Sequence, residues 1–144
     1  MIQWQIKIQL DDGAKAPVKA HEADAGFDLF QKEGGVPIYI PPHRAYTFDT
    51  GVHMAIPDWW CGVLMAKSGM NVKHGITSTG LIDSGYTGSI RVKLYNHSND
   101  TFIVQPGDKI SQIIILPVPH IELMQVEKLE ETERGSNGFG STGR

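Results

Sequence analysis

The stretch Ile110-Ser-Gln-Ile-Ile-Ile-Leu116 decides the fold class, because a short and nearly continuous apolar run is typical of a strand buried on both faces. Three earlier segments, residues 4–10, 46–56 and 90–95, alternate apolar and polar residues as strands with one solvated face do. Residues 121–131 fit a strand and a helix equally well. Turn residues separate the segments at Asp12-Gly13, Gly34-Gly35, Pro41-Pro42, Pro57-Asp58, Ser84-Gly85, Asn99-Asp100 and Pro106-Gly107. The pattern predicts an all-β sandwich or barrel.

Length and charge limit the functions open to the chain. Its 144 residues predict a single domain, and 13 Lys and Arg against 16 Asp and Glu indicate no stable nucleic-acid binding. No apolar run is long enough for a membrane, and the start, Met1-Ile-Gln-Trp-Gln, lacks the regions of a signal peptide. The single cysteine, Cys61, fits a reducing compartment and a buried structural thiol. We therefore expect a cytoplasmic protein.

The last eleven residues are Arg134-Gly-Ser-Asn-Gly-Phe-Gly-Ser-Thr-Gly-Arg144, and they combine features that are suited to binding a nucleoside triphosphate. Glycines allow close approach of backbone N–H groups, the hydroxyls and arginines bind phosphate, and Phe139 offers a ring for a base to stack on. The alternative is a frayed terminus, since ordering glycine costs more backbone entropy than ordering any other residue. We expect a tail, residues 134–144, that is flexible when no ligand is bound.

Two segments suggest phosphate and metal chemistry, each with a plain structural alternative. Asp28 stands in the apolar run Ala25-Gly-Phe-Asp-Leu-Phe30, where it either pairs at a strand edge or holds the water ligands of Mg²⁺. The segment Met65-Ala-Lys-Ser-Gly-Met70 brings a cation, a hydroxyl and a glycine together. It fits an anion-binding loop and an ordinary turn equally well.

Two further segments carry polar groups next to apolar strands. In Gly80-Leu-Ile-Asp-Ser-Gly-Tyr-Thr-Gly-Ser-Ile90, the carboxylate of Asp83 leaves a strand at the mouth of a turn. It either caps the turn or acts as a general base toward water, while the hairpin backbone offers groups that mimic a base-pairing partner. Gln112, inside the buried strand, is either a core amide or a ligand contact.

In their order along the chain, five segments resemble the five motifs of the trimeric dUTPase family. The segments are residues 25–30, 66–70, 80–88, 107–112 and 134–143. The resemblance implies an all-β, distorted β-barrel or jelly-roll protomer (a β-clip fold) and a homotrimer whose active sites are shared between subunits. It divides the chain into a β domain, residues 1–133, and the C-terminal lid, residues 134–144.

The family reaction is hydrolysis of dUTP to dUMP and pyrophosphate by attack of water on the α-phosphate, with Mg²⁺ bound across the phosphates. The resemblance implies that Asp83 deprotonates the water and that Tyr86 packs under the deoxyribose and excludes UTP. Ser68, with Lys67 and Gly69, would bind phosphate, Gln112 would place the α-phosphate or the water, and Asp28 would reach the metal through water. Further substrate contacts would come from Thr77, Gly80, Ile82 and Ile90.

For the tail, the resemblance implies three roles. Arg134 would neutralise phosphate charge as a catalytic group, Phe139 would cover the uracil, and the γ-phosphate would be held by Gly140, Ser141 and Thr142. Elsewhere the chain departs from the usual family pattern. Lys67 stands where arginine is common, Gly85 replaces a frequent acidic residue, and Thr77 stands where some members place an asparagine on the uracil.

Two alternatives share parts of this pattern. dCTP deaminases resemble the same hairpin but have a glutamate where this chain has Lys93, which as a cation cannot perform that proton transfer. A regulatory protein of phage or mobile-element origin that senses dUTP is the second alternative. Asp83, Tyr86 and Arg134 are all present, so the sequence favours an active enzyme over a sensor.

Overall fold

The computed structural model describes residues 4–143, so Gln3 of the predicted first strand and the tail arginine Arg144 lie outside the described residues. Within this range the protein is all-β, as predicted, with one short helix, α1 (Ser68–His74). None of the described helices is long and apolar enough to cross a membrane. The strands are β1 (Ile8–Leu10), β2 (Phe27–Phe30), β3 (Ile38–Ile40), β4 (Ala45–Asp49), β5 (Val52–Met54), β6 (Trp60–Met65), β7 (Ile76–Thr77), β8 (Thr79–Ile82), β9 (Arg91–Asn96), β10 (Phe102–Val104) and β11 (Lys109–Pro117).

The described strands form four antiparallel sheets and do not close into a single barrel. The largest has the order β2-β11-β6-β8, the next has the order β4-β9-β7, and β1-β5 and β3-β10 are two-stranded. The sheets enclose one apolar core, to which Leu29, Phe48, Leu64, Val92 and Ile113 belong. This is a jelly-roll-like arrangement, in agreement with the predicted fold class.

The quoted stretch 110–116 lies in β11, which pairs with β2 on one side and β6 on the other. Ile110 and Ile113 are fully buried, whereas Leu116 emerges at the end of the strand. In β9 the alternation is as predicted, with Val92 and Leu94 buried between exposed neighbours. Both strands therefore follow the apolar pattern of their sequences.

Two predicted strands are shorter than the alternation suggests. The first is limited to β1, whose residues are all exposed, and of the preceding apolar residues Ile6 packs against the core. The segment 46–56 is split into β4 and β5 at Gly51, which has a φ of 66°. A Cβ at this position would lie 2.5 Å from Lys32 Cε and 2.9 Å from Ala14 Cβ, which is why glycine stands here.

The segments with ambiguous patterns resolve differently. Residues 121–131 form neither a strand nor a helix, and their apolar side chains are exposed, with Leu123 92% accessible. Helix α1 is an unpredicted element that begins within the segment 65–70 and ends at His74, directly before Gly75. Gly75 has a φ of 64° and donates to the carbonyls of Asn71 and Met70, an ordinary C-terminal cap.

Candidate active site

Asp83 is exposed and directly follows β8, in the predicted hairpin, residues 80–90. β8 and β9 belong to different sheets and do not pair with each other, so this hairpin is a turn that connects two sheets and not the two-stranded ladder that the sequence predicted. Its carbonyl accepts a hydrogen bond from the Tyr86 amide at 3.4 Å across the turn that contains Gly85, whose φ is 77°. Among the hydrogen bonds of the described residues, none involves the Asp83 carboxylate. The turn-capping alternative is therefore not what the structure contains, and the carboxylate is open to a water or a ligand.

Tyr86 is fixed over a glycine in the same hairpin. Its hydroxyl donates to the Ser89 carbonyl at 3.0 Å, and its ring covers Gly88 so closely that a Cβ there would lie 2.5 Å from the Tyr86 oxygen. The hairpin then ends at the fully buried Ile90, whose amide donates to Val52. Gly88 thus has a packing role that the spacing of the motif alone did not indicate.

His53, a residue that the sequence pattern did not single out, supports the other side of the hairpin. Its Nδ1 lies 2.7 Å from the Thr87 carbonyl and its Nε2 lies 3.0 Å from Asp11. Both partners are acceptors, so both contacts are hydrogen bonds only when the imidazole carries two protons. The Thr87 hydrogen bond, with help from Asp11 and Asp49 and against some desolvation, raises the pKa of His53.

Asp28 is buried and ion-paired, the arrangement that the structural alternative anticipated. Lys67 donates to its Oδ1, and the Lys109 Nζ lies 3.0 Å from its Oδ2. Burial alone would raise the pKa of Asp28, but the hydrogen bonds and charges of the two lysines outweigh burial and lower it. The described residues contain no cluster of three His, Cys, Asp or Glu side chains that could hold a metal directly.

Gln112 connects this ion-paired cluster to the start of α1. Its Nε2 donates to the Ala66 carbonyl at 3.2 Å, and neighbouring Ser111 donates to the Met65 carbonyl at 2.9 Å. A Cβ on Gly26 would lie 2.8 Å from Gln112 Oε1, so the amide packs against the glycine of the first motif. Ser68 and Gly69, the first two residues of α1, directly follow Lys67 in the sequence and are exposed.

Within one chain, the predicted base and the predicted phosphate residues lie beyond opposite ends of the β6–β8 ladder. Thr79 pairs with Met65 at one end, and Ile82 pairs with Gly62 at the other. These pairs are three residues apart, about 10 Å in an antiparallel strand. Ser68 lies beyond the first end, and Asp83 lies beyond the second. A single chain therefore keeps the predicted phosphate-binding residues and the predicted base apart.

The remaining predicted positions flank these two regions. Gly80 packs against Leu64, and Ile82 is half-buried. Thr77 is engaged elsewhere, with its hydroxyl 2.7 Å from His97 Nε2. Lys93 stands on the exposed face of β9 above the Tyr95 ring. Cys61, predicted to be buried, is half-buried in β6.

The tail makes only local hydrogen bonds among the described residues. The Arg134 Nε donates to the Asn137 carbonyl at 3.0 Å, and two tight turns follow at residues 138–141 and 140–143. Each hydrogen bond recorded for the described tail has its partner within residues 132–143. Phe139 is fully exposed. Within one chain, the tail is therefore not brought to either end of the β6–β8 ladder.

An apolar groove of about 380 Å³ lies apart from these residues. Trp4, Phe27 and Trp60 are part of its lining, which contains none of the predicted site residues. Because it offers no charged group suited to catalysis other than the edge residue Lys19, we do not place the chemistry there.

The all-β fold thus carries an exposed carboxylate, a lysine cluster and a glycine-rich tail with an aromatic ring, the kinds of group that bind nucleotides. The family model of dUTPase matches residues 12–143, and the chain belongs to the dUTPase family. The deoxyuridine 5′-triphosphate nucleotidohydrolase of Gloeobacter violaceus is 40% identical to it over 130 residues, covering 88% of each chain.

Solved structures agree with this membership. The structure of a mutant Staphylococcus bacteriophage 80alpha dUTPase with dUpNHpp has a TM-score of 0.84 and 27% identity, and the match covers 97% of this chain and 99% of that one. A mutant dUTPase from the S. aureus phage phi11, whose structure describes coordination of a structural Mg(II) ion, has a TM-score of 0.79 and 26% identity. That match covers 88% of this chain and 99% of the other.

Proposed function

We propose that this chain is a dUTP diphosphatase that hydrolyses dUTP to dUMP and pyrophosphate, which keeps uracil out of DNA and supplies dUMP for dTTP synthesis. The observation that carries the proposal is the family match over residues 12–143, which includes the hairpin with its exposed Asp83. The substrate belongs to the nucleotide pool of the cytoplasm, where we expect the enzyme to act.

In the proposed mechanism, the hairpin binds the nucleoside and supplies the base. Asp83, whose carboxylate has no competing partner among the described residues, orients and deprotonates the water that attacks the α-phosphorus. Tyr86, fixed through Ser89 and Gly88, forms the floor under the deoxyribose and leaves no space for a 2′-hydroxyl. The backbone of the hairpin, together with Gly80, Ile82 and Ile90, shapes the uracil site.

The opposite end of the ladder binds the phosphates. Ser68 and the backbone at Gly69 are exposed and available as donors, and Lys67 adds a cation. Gln112 is held by Ala66, close to the same segment, where its amide would contact the α-phosphate. Thr77 is already bound to His97, which weakens its case as a uracil contact.

Mg²⁺ fits this site as an ion carried by the triphosphate. Asp28 has a lowered pKa and is therefore a charged acceptor, but each of its oxygens already accepts from a lysine. A carboxylate has about four acceptor positions, so Asp28 retains capacity for a metal-bound water but is not placed as a direct ligand. The ion would neutralise phosphate oxygens, and Asp28 would orient its hydration shell.

The separation of Asp83 from Ser68 and Gln112 supports sites that are shared between copies, as in the homotrimer that the family resemblance implies. A general base must lie within about 3 Å of the water that attacks the α-phosphate, and the groups expected to hold that phosphate lie at the other end of the ladder in the same chain. A second copy that presents its phosphate residues to the hairpin of the first removes this conflict. The exposed apolar residues of segment 121–131 also need a cover, which a neighbouring copy would provide.

The tail then serves as a lid, residues 134–144, over the site of another copy. Arg134 would neutralise charge on the phosphates, and Phe139 would stack on the uracil. Gly140, Ser141 and Thr142 would bind the γ-phosphate. The local turns and the full exposure of Phe139 are what a segment needs if its ligand comes from outside its own chain.

The test is pyrophosphate release from dUTP with and without Mg²⁺, in the wild type and in Asp83→Asn. The variant is expected to lose about 10²–10⁴ in turnover and still bind dUpNHpp, since only the base is removed. Asp100→Asn, an exposed loop position, is the matched control. Unchanged turnover in Asp83→Asn would remove Asp83 from the mechanism, and ammonia release from dCTP would point to a deaminase instead.

A further inference from the structure

The cluster of Lys67, Asp28 and Lys109 holds one cation more than its carboxylate requires. A single lysine neutralises a buried aspartate, and a second ammonium leaves the cluster with a net charge of +1. An ion pair that served stability alone gains little from an excess charge beside a buried group. The chain as a whole has a formal charge of −3, so this local excess of positive charge runs against its composition.

The geometry leaves both ammonium groups able to bind a further anion. The Asp28 side chain is only 6% exposed and serves as a fixed anchor, whereas the Lys67 and Lys109 side chains are 30% and 47% exposed. An ammonium group has three donors, and each lysine needs one for Asp28. Two donors of each ammonium group therefore remain, on lysine side chains that are partly exposed.

Lys109 also lies at the end of the molecule where the phosphate residues are. It begins β11 opposite Phe30, two residues before Ser111 and three before Gln112. Ser111 and Gln112 donate to the carbonyls of Met65 and Ala66, so β11 is joined to the segment that leads into Lys67 and Ser68. The second ammonium is thereby attached to the same framework as the first.

We propose that Lys109 is a second phosphate-binding cation, held beside Lys67 by the shared carboxylate of Asp28. The proposal rests on the proposed function, because the anion is the triphosphate of dUTP. Two ammonium groups on the two oxygens of one carboxylate supply two positioned cationic donors. They replace the two-point grip that a single guanidinium at position 67 would have provided.

The test measures the affinity for dUpNHpp by calorimetry in EDTA, so that no metal contributes. Lys109→Gln is expected to weaken binding about tenfold, the effect of one hydrogen bond to a charged group. The loss should shrink as salt rises, and Lys109→Arg should stay within about threefold of the wild type because it keeps the charge. Lys73→Gln removes a cation from the last turn of α1 and is the matched control, with unchanged affinity expected; Lys73 forms no ion pair within residues 4–143.

A double variant separates charge from structure. Lys109→Gln alone leaves the cluster neutral, with Asp28 still paired to Lys67, whereas Asp28→Asn with Lys109→Gln restores a net +1 and frees the Lys67 ammonium group from that pair. The double variant should therefore bind dUpNHpp at least about threefold more tightly than Lys109→Gln.

Equal affinity of Lys109→Gln and the wild type, or no recovery in the double variant, would overturn this proposal while leaving dUTP hydrolysis intact. A wild-type chain that binds no dUpNHpp and hydrolyses no dUTP would overturn the proposed function itself.

Discussion

The hairpin, residues 80–90, and the tail, residues 134–143, are both rich in glycine, yet two of the hairpin glycines are closely packed, whereas Gly85 at the turn and the tail glycines are not. In the hairpin, a Cβ on Gly80 would lie 3.0 Å from Leu64, and one on Gly88 would lie 2.5 Å from Tyr86. In the tail, a Cβ on Gly138 or Gly140 would meet nothing within 4 Å. The same residue type permits close packing in one region and backbone freedom in the other.

The difference suggests how the enzyme divides its work. The hairpin is built into the core through Ile90 and holds its polar groups in place before substrate arrives. The tail has few contacts to lose and is suited to close over a site after binding. Because the tail contributes little to the folded body, its removal should affect catalysis and stability very differently.

Deleting residues 134–144 is the change with the largest expected effect. Charge stabilisation by an arginine at a phosphoryl site is worth about 10³–10⁵ in other phosphoryl-transfer enzymes, so the deletion should remove most of the turnover. The thermal midpoint should stay unchanged, because the described tail bonds only to residues 132–143. Steady-state kinetics and a thermal melt of the same sample measure both, and a deletion variant with normal turnover would contradict the lid.

A smaller effect is expected from a pair of matched glycine substitutions. Gly88→Ala should displace the Tyr86 ring and cost about 1 kcal/mol through its hydrogen bond to Ser89, and it should relax discrimination against UTP. Gly138→Ala adds the same methyl group where there is open space and should leave the free energy of unfolding unchanged. Denaturant unfolding and the ratio of dUTP to UTP turnover distinguish the two. The contrast between the regions fails if both variants behave alike.

The smallest expected effect is a pH dependence of the thermal midpoint, which His53 contributes through its contacts to the hairpin. Folding raises the pKa of His53 above its unfolded value of about 6.5. The stability that its two hydrogen bonds contribute is therefore fully present below the unfolded pKa and is lost as pH rises through the higher folded pKa. The thermal midpoint of the wild type should therefore fall relative to that of His53→Gln as pH rises above about 6.5. Parallel midpoint profiles for the two proteins would show that the contacts to Thr87 and Asp11 do not stabilise the hairpin.

The local sequence pattern correctly predicted those strands whose apolar residues are buried within the same chain. Val92 and Leu94 are buried because their alternation matches the pleat, and the apolar run at Ile113 is buried because it sits between two strands. Residues 4–10 alternate equally well, but only Ile8–Leu10 pair with another strand, β5, and only Ile6 packs against the core. Helix α1 escaped prediction because seven residues are too few to establish a helical period.

The sequence predicted those parts of the candidate site whose residues are close together along the chain. It did not predict the contacts that only the fold brings about. The hairpin and the tail are contiguous in sequence, so the positions of Asp83, Tyr86 and Phe139 could be named in advance. The Lys67–Asp28–Lys109 cluster joins residues that lie far apart along the chain, and no local pattern encodes it. No local pattern encodes the contact of His53, in β5, with the Thr87 carbonyl either.

The central claim is that one active site takes its base from one copy and its lid from another. Mixing Asp83→Asn with the chain lacking residues 134–144, unfolding both together and refolding them, tests this directly by dUTP turnover. If the parts come from different subunits, random assembly gives about a quarter of the sites both a wild-type Asp83 and a tail, and about a quarter of wild-type activity returns. If each site is built within one chain, the refolded mixture stays as inactive as its two components, and the account is wrong.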